Sequence, residues 1–182
     1  MAVQLQFPPE LLLKAQRVRL AFLDVDGVLT DGGLYFSAAG ETVKRFHVLD
    51  GYGIRMLRAS GIVPVVITGR DAKALRVRLQ ALGIVDAYFG VDNKRTVAEA
   101  SLRQLGLQWD QAAVIGDDWP DLPLIQRCAF SAAPPNAHEE VLAAVDLITH
   151  RPGGQGAVRA FCDVLLTAAG KYAQLLEEAR AC

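Results

Sequence analysis

Paired cysteines are missing from this sequence. Cys128, Cys162 and Cys182 are odd in number and far apart, and none belongs to the Cys/His spacing of a zinc site. Reduced thiols are therefore expected rather than bridges. An excess of one charge is missing too: 19 Lys and Arg stand against 20 Asp and Glu, leaving a net charge of −1. That balance gives no reason to expect nucleic acid or an anionic membrane as partner. No apolar run approaches the ~20 residues that span a bilayer. The N-terminus carries no basic region followed by an apolar stretch of secretory type. The expectations are a cytoplasmic protein and a small-molecule partner. With 182 residues, 52% apolar and 21% charged, one core burying roughly 70% of the unfolded surface is the default.

What the chain does have is alternation. Residues 1–17 read as a polar arm and a short helix after Pro8-Pro9, 18–169 as a single domain, and 170–182 as a frayed helical tail. Leu20–Leu23, Ile62–Ile67, Ala87–Phe89, Ala112–Ile115, Ala129–Ser131 and Asp146–Ile148 are short apolar runs suited to buried strands. Between them, Gly51–Ala59, Asp71–Leu82, Lys94–Leu105, Leu122–Arg127 and Glu139–Ala144 carry helical spacing or caps. Such a rhythm predicts an α/β fold, a doubly wound parallel sheet with helices on both faces. One hairpin, at 33–46, interrupts it and projects from the sheet. Leu34, Tyr35 and Phe36 on its edge call for cover, most economically by another copy of the chain.

In such sheets the ligand sits beyond the carboxyl ends of the strands, where strand order reverses. Three polar clusters fall there: Asp24-Val25-Asp26-Gly27, Thr68-Gly69-Arg70, and Gly116-Asp117-Asp118 with Asp121. Asp24 and Asp26 project to one side of an extended segment, so two carboxylates share a small volume and call for a divalent cation or a shared proton. Turn chemistry or helix capping explains any one cluster taken singly. Together they permit specific chemistry. Carboxylates from two strand ends can hold Mg²⁺. Thr68 and the backbone near Gly69 can receive phosphate oxygens at a helix N-terminus, and Lys94 can reach the same anion. One Asp can attack phosphorus, while the second protonates the leaving oxygen and later activates water. Asp118 and Asp121 suit either hydrogen bonding around the metal ligands or capping the next helix.

These strings resemble the four motifs of the haloacid dehalogenase superfamily. Phe46-His47-Val48-Leu49-Asp50-Gly51-Tyr52-Gly53-Ile54, Ile115 to Pro123 and Gly153-Gly154-Gln155-Gly156-Ala157-Val158-Arg159 narrow the resemblance to the cap-less family that removes phosphate from 3-deoxy-D-manno-octulosonate 8-phosphate. It covers roughly Val18 to Ala169. The resemblance implies a Mg²⁺-dependent phosphatase in lipopolysaccharide precursor synthesis that works through an aspartyl phosphate, with Asp24 as nucleophile and Asp26 as acid and base. It implies Mg²⁺ on the Asp24 side chain, the Asp26 backbone carbonyl and Asp117, and phosphate on Thr68, Gly69 and Lys94. It matches His47, Arg55, Arg70 and Arg78 to sugar contacts. A homotetramer is implied as well, whose hairpins, and here also the C-terminal tail, reach neighbouring active sites. The Gly153–Gly156 stretch suits a mobile segment closing over such a site, or a linker. One departure stands out: Leu49 occupies a position where an Arg is expected, which leaves one substrate contact of the family open while the chemistry is expected to survive. Two other readings remain open, a phosphatase for another acidic sugar such as N-acylneuraminate 9-phosphate, and a non-catalytic Mg²⁺-dependent phosphoacceptor. Asp26 separates the last from an enzyme, since only turnover needs a second acid.

Overall fold

The computed structural model describes residues 7–38 and 40–181; the polar arm at 1–6, the hairpin's Ala39 and Cys182 lie outside the described residues. In chain order the elements are α1 (Pro9–Ala15), β1 (Leu20–Leu23), β2 (Tyr35–Ser37), β3 (Gly40–Val43), α2 (Val48–Ala59), β4 (Val63–Ile67), α3 (Lys73–Leu82), β5 (Ala87–Tyr88), α4 (Lys94–Leu105), β6 (Ala112–Ile115), α5 (Leu122–Ile125), β7 (Phe130–Ala133), α6 (Glu139–Leu142), β8 (Leu147–Ile148), α7 (Ala157–Ala168) and α8 (Tyr172–Ala181). Six strands form one sheet in the order β5-β4-β1-β6-β7-β8, and β2 pairs with β3 apart from it. Every neighbour in the large sheet is parallel. The expected fold is therefore present.

The order reverses at β1. From there the chain builds outward to β4 and β5, then returns to lay β6, β7 and β8 on the other side. Leu23 is level with Val66 on one flank and with Ile115 on the other. The three polar clusters consequently open at one height around the central strand, in the crevice where such sheets bind ligands.

Two cores hold the sheet, and the period of two in a strand decides which residue joins which. Ala21, Leu23, Val66 and Ile115 pack with Ile54, Leu57, Leu75, Phe161 and Leu165 of α2, α3 and α7. Leu20, Phe22, Val65, Ile67 and Val114 face the other way, against Ala98, Leu102, Leu124 and Ile125 of α4 and α5. Strands buried on both faces are what continuous apolar runs encode. α4 starts on Asn93, whose side chain accepts from the Thr96 N–H, and stops at Gly106 in the left-handed region.

Several boundaries move. α2 begins three residues before the predicted Gly51, because the His47 ring nitrogen accepts the Leu49 N–H and caps the helix early. α3 begins at Lys73 rather than Asp71, with Ala72 as an N-cap that has no side-chain bond. α5 and α6 stop short of Arg127 and Ala144. The hairpin strands are shorter than predicted, and their register slips between Tyr35 and Phe36.

The Gly153–Gly156 stretch is tied to the rest of the fold by hydrogen bonds. The Gly154 N–H donates to the Val28 carbonyl at 2.9 Å and the Gly153 N–H to Asn136 Oδ1 at 2.8 Å. The stretch lies pressed against the loop that follows β1. Buried Asp50 then receives the Gly156 N–H at 3.3 Å and the Arg159 N–H at 2.8 Å, so a carboxylate from α2 caps α7. Burial lifts the Asp50 carboxyl and those backbone bonds pull the other way, with burial the stronger.

Candidate active site

Asp24 continues directly from β1, and its N–H still bonds the Ile115 carbonyl of β6 at 3.2 Å. Asp117, one residue past the Gly116 that follows β6, comes to meet it. Asp24, Asp117 and Asp121 each offer a carboxylate oxygen within 4.8 Å of the others. Lys94, the first residue of α4 and 5% exposed, places its Nζ 2.7 Å from Asp24 Oδ1 and 2.8 Å from Asp121 Oδ1. Residues far apart along the chain are thus one cluster.

Asp121 supports rather than offers. Its Oδ1 is taken by Lys94 and its Oδ2 accepts the Asp117 N–H at 3.2 Å. Gly116 makes room for this: a Cβ there would lie 2.4 Å from that of Asp121. Asp24 and Asp117 are left as the open pair.

Three carboxylates crowd around one ammonium in a half-buried cleft. Burial, then the Asp24 and Asp121 charges, push the Asp117 carboxyl up to about 8, and burial with the Asp24 charge pushes Asp121 up to about 6. Burial opposes the Lys94 charge, yet the two carboxylates beside it hold its pKa above the usual lysine value. An oxygen-only donor set of three crowded carboxylates, two of them with pKa values raised by burial and by their neighbours' charge, fits a hard divalent cation such as Mg²⁺.

Asp26, two residues on, has its Oδ1 ion-paired with Lys44, and its Oδ2 lies 3.8 Å from Arg70 Nε. Arg70 is thereby drawn into the site from the loop after β4.

Thr68 is buried at that same loop, its Oγ1 accepting the Arg70 N–H at 3.2 Å, and Gly69 beside it is exposed. Neither stands at a helix N-terminus as predicted, since α3 starts only at Lys73. The remaining predicted residues lie elsewhere. His47 caps α2. Arg55 donates to the Ala81 carbonyl at the far end of α3, away from the rim. Arg78 packs where a Gly51 Cβ would otherwise stand, 2.3 Å from its Nη2, and faces the Phe46 ring at 5.9 Å. Asp118 caps a short turn through the Trp119 N–H at 2.8 Å. That turn presents Trp119, 60% exposed, with its indole N–H on His138 Nδ1 at 3.2 Å.

Two residues at the site were not foreseen. Lys44 reads in sequence as an ordinary solvated hairpin lysine, yet its side chain is 1% exposed. Asn136 sits in a turn after β7 and bridges the Gly27 carbonyl at 3.2 Å to the Gly153 N–H at 2.8 Å. Neither carries a spacing signal, because their partners are remote along the chain.

Residues 83–161 match the haloacid dehalogenase-like hydrolase family. The 3-deoxy-D-manno-octulosonate 8-phosphate phosphatase of Salmonella typhimurium is 43% identical over 172 residues, covering 94% of this chain and 89% of that protein. The crystal structure of the enzyme of that name from Moraxella catarrhalis, in complex with a magnesium ion, a phosphate ion and a KDO molecule, superposes with a TM-score of 0.91 at 35% identity, over 94% of this chain and 99% of the other. The cobalt-bound Haemophilus influenzae phosphatase gives 0.85 at 42% identity, over 87% and 93%. This chain belongs to the haloacid dehalogenase-like hydrolases and, within them, to the family of the 3-deoxy-D-manno-octulosonate 8-phosphate phosphatases.

Proposed function

We propose that this chain is a Mg²⁺-dependent phosphatase that hydrolyses 3-deoxy-D-manno-octulosonate 8-phosphate to the free sugar acid and orthophosphate. The observation that carries the reading is Lys94 bridging Asp24 and Asp121 at 2.7 and 2.8 Å, with Asp117 beside Asp24. Asp24 is the nucleophile: its open carboxylate oxygen attacks phosphorus and forms an aspartyl phosphate. Asp26 gives a proton to the departing sugar oxygen, then takes one from the water that cleaves the aspartyl phosphate. Asp24, the Asp26 backbone carbonyl and Asp117 would hold the metal, which when bound neutralises phosphate charge. Thr68 and Gly69 present donors to the phosphate, and Lys94 adds its ammonium. Asp121 orients Lys94 and the Asp117 loop.

Arg70 is the substrate-binding residue that this chain's own geometry favours, since it already reaches Asp26. His47, Arg55 and Arg78 contribute to sugar binding only from the positions described, at the base of the hairpin and beside α3. A homotetramer in which hairpin and C-terminal tail reach adjacent sites fits the exposed Tyr35, Phe36 and Val43 of the hairpin and an α8 that is exposed apart from Tyr172 and Leu175. The division into arm (1–17), catalytic domain (18–169) and tail (170–182) belongs to the same reading, as does a cytoplasmic location.

The test is orthophosphate release over a panel of sugar phosphates, with and without Mg²⁺. Release is expected from the eight-carbon acid first, only with the metal, and not from Asp24→Asn. Turnover by Asp24→Asn at the parent rate would remove the covalent mechanism.

A further inference from the structure

Each of the two aspartates after β1 has its own buried lysine. Lys94 serves Asp24; Lys44 serves Asp26. The Lys44 side chain is 1% exposed, ion-paired with Asp26 Oδ1 and 2.6 Å from Glu41 Oε1. It comes from the segment just after β3, so it joins the hairpin to the rim. Hiding a lysine this way sacrifices side-chain freedom as well as the ammonium's hydration. Burial works against the charge, but the bonds to Asp26 and Glu41 outweigh it and keep Lys44 protonated. With its tip enclosed between two carboxylates, Lys44 has no face to offer a substrate. Its partner is Asp26.

We infer that Lys44 is a positioning residue for the acid and base of the reaction: it aims the Asp26 carboxyl at the leaving oxygen and links that aim to the seating of the hairpin. The inference rests on the reading of Asp26 given above. In the first half-reaction the Asp26 proton passes to the ester oxygen as the P–O bond breaks and the bond from Asp24 to phosphorus forms; in the second, the oxygen of water bonds to phosphorus, its proton returns to Asp26, and the Asp24–phosphorus bond breaks to free orthophosphate and the Asp24 carboxylate. A carboxyl with two opposite duties must hold one place through both. Lys44 fixes one oxygen and Arg70 stands off the other at 3.8 Å, which leaves that second oxygen for proton transfer. Glu41 shares the ammonium, so Asp26 is oriented without facing a full opposing charge alone.

Leaving-group dependence tests this, using the Mg²⁺-loaded protein and single-turnover release of the alcohol. A sugar phosphate needs its oxygen protonated; p-nitrophenyl phosphate does not. In Lys44→Met, release from the sugar phosphate is expected to fall about 100-fold and release from the aryl ester less than about threefold, with Lys44→Arg recovering most of the loss. Both rates come from one preparation, so their ratio is independent of the fraction folded. Lys44→Gln, which keeps a donor, should give an intermediate ratio. Asp26→Asn is the control. Equal loss on both esters in Asp26→Asn would overturn the reading of Asp26 itself. Selective loss there, combined with equal loss or no loss in Lys44→Met, would overturn the positioning role of Lys44.

Discussion

Gly27 stands so close to Asp117 that a Cβ on it would lie 1.9 Å from Asp117 Oδ2. Its φ of +89° is one that side chains resist. Both requirements come from one geometric fact: the loop leaving β1 must turn back immediately so that the end of β6 can bring its carboxylate alongside Asp24. Gly27→Ala should therefore displace Asp117 rather than merely strain the turn. The expected result is a loss of at least about 100-fold in kcat/KM and a higher half-saturating Mg²⁺ concentration in an activity titration. Unchanged metal dependence would mean that Asp117 is not a ligand.

The same loop is braced from outside. A Cβ on Gly153 would lie 1.8 Å from the Gly27 carbonyl oxygen, and Asn136 bonds both residues. Asn136→Ala removes two part-buried hydrogen bonds, each worth about 0.5–1.5 kcal/mol. Urea unfolding should read that loss, and activity should fall with it because the braced loop carries Asp26. If Asn136→Ala keeps full stability, the Gly153 segment is not a brace.

The fold was legible because its signals are local. The apolar runs at Leu20, Val63 and Ala112 are short and buried on both faces, and the rule for doubly wound sheets then brings their ends together without any knowledge of contacts. Asp24, Thr68 and Asp117 were placed by that rule, and Lys94 by its position at the start of a helix. Partnership was not legible. Lys44 with Asp26, and Asn136 with Gly27 and Gly153, are set by how the hairpin folds back and how the turn after β7 meets the first loop. The settings of the arginines were not legible for a related reason. Arg55 and Arg78 have helical spacing toward α3 and α2, and only packing decides whether a long side chain ends at the rim or on a neighbouring helix.

Acidity offers a further check. In the metal-free protein Asp117 is pushed up to about 8, whereas an unfolded aspartate titrates near ~3.9. Between those values the folded chain holds a proton that the unfolded chain has released. The Asp117 contribution to stability is thus fully present below the unfolded value and is lost as pH rises toward 8, by at most about 1.4 kcal/mol per pH unit. Mg²⁺ displaces that proton, so its binding should tighten over the same window. Melting temperatures with and without Mg²⁺ should diverge from pH 5.5 to pH 8 and then run parallel. A constant gap across this range would show that no proton leaves on metal binding.

Charge balance at the cluster rests on one side chain. Lys94 is the only cation bonded to the Asp24 and Asp121 carboxylates among the described residues, and it is 5% exposed. Lys94→Met keeps the volume of the stem and removes the charge, leaving three crowded acids. Breaking such a buried pair costs about 3–5 kcal/mol, a large share of a typical domain's 5–15 kcal/mol. Asp121→Asn alone should be milder, since its amide can still accept the Asp117 N–H and Lys94 keeps Asp24. If repulsion is the cause, adding Asp121→Asn to Lys94→Met should restore part of the lost stability, so that the double variant is more stable than the sum of the singles allows. Mg²⁺ should rescue Lys94→Met more than it stabilises the parent protein, because it supplies the positive charge the variant lacks. Additive losses together with no extra metal rescue would mean that Lys94 holds the site by shape and not by charge.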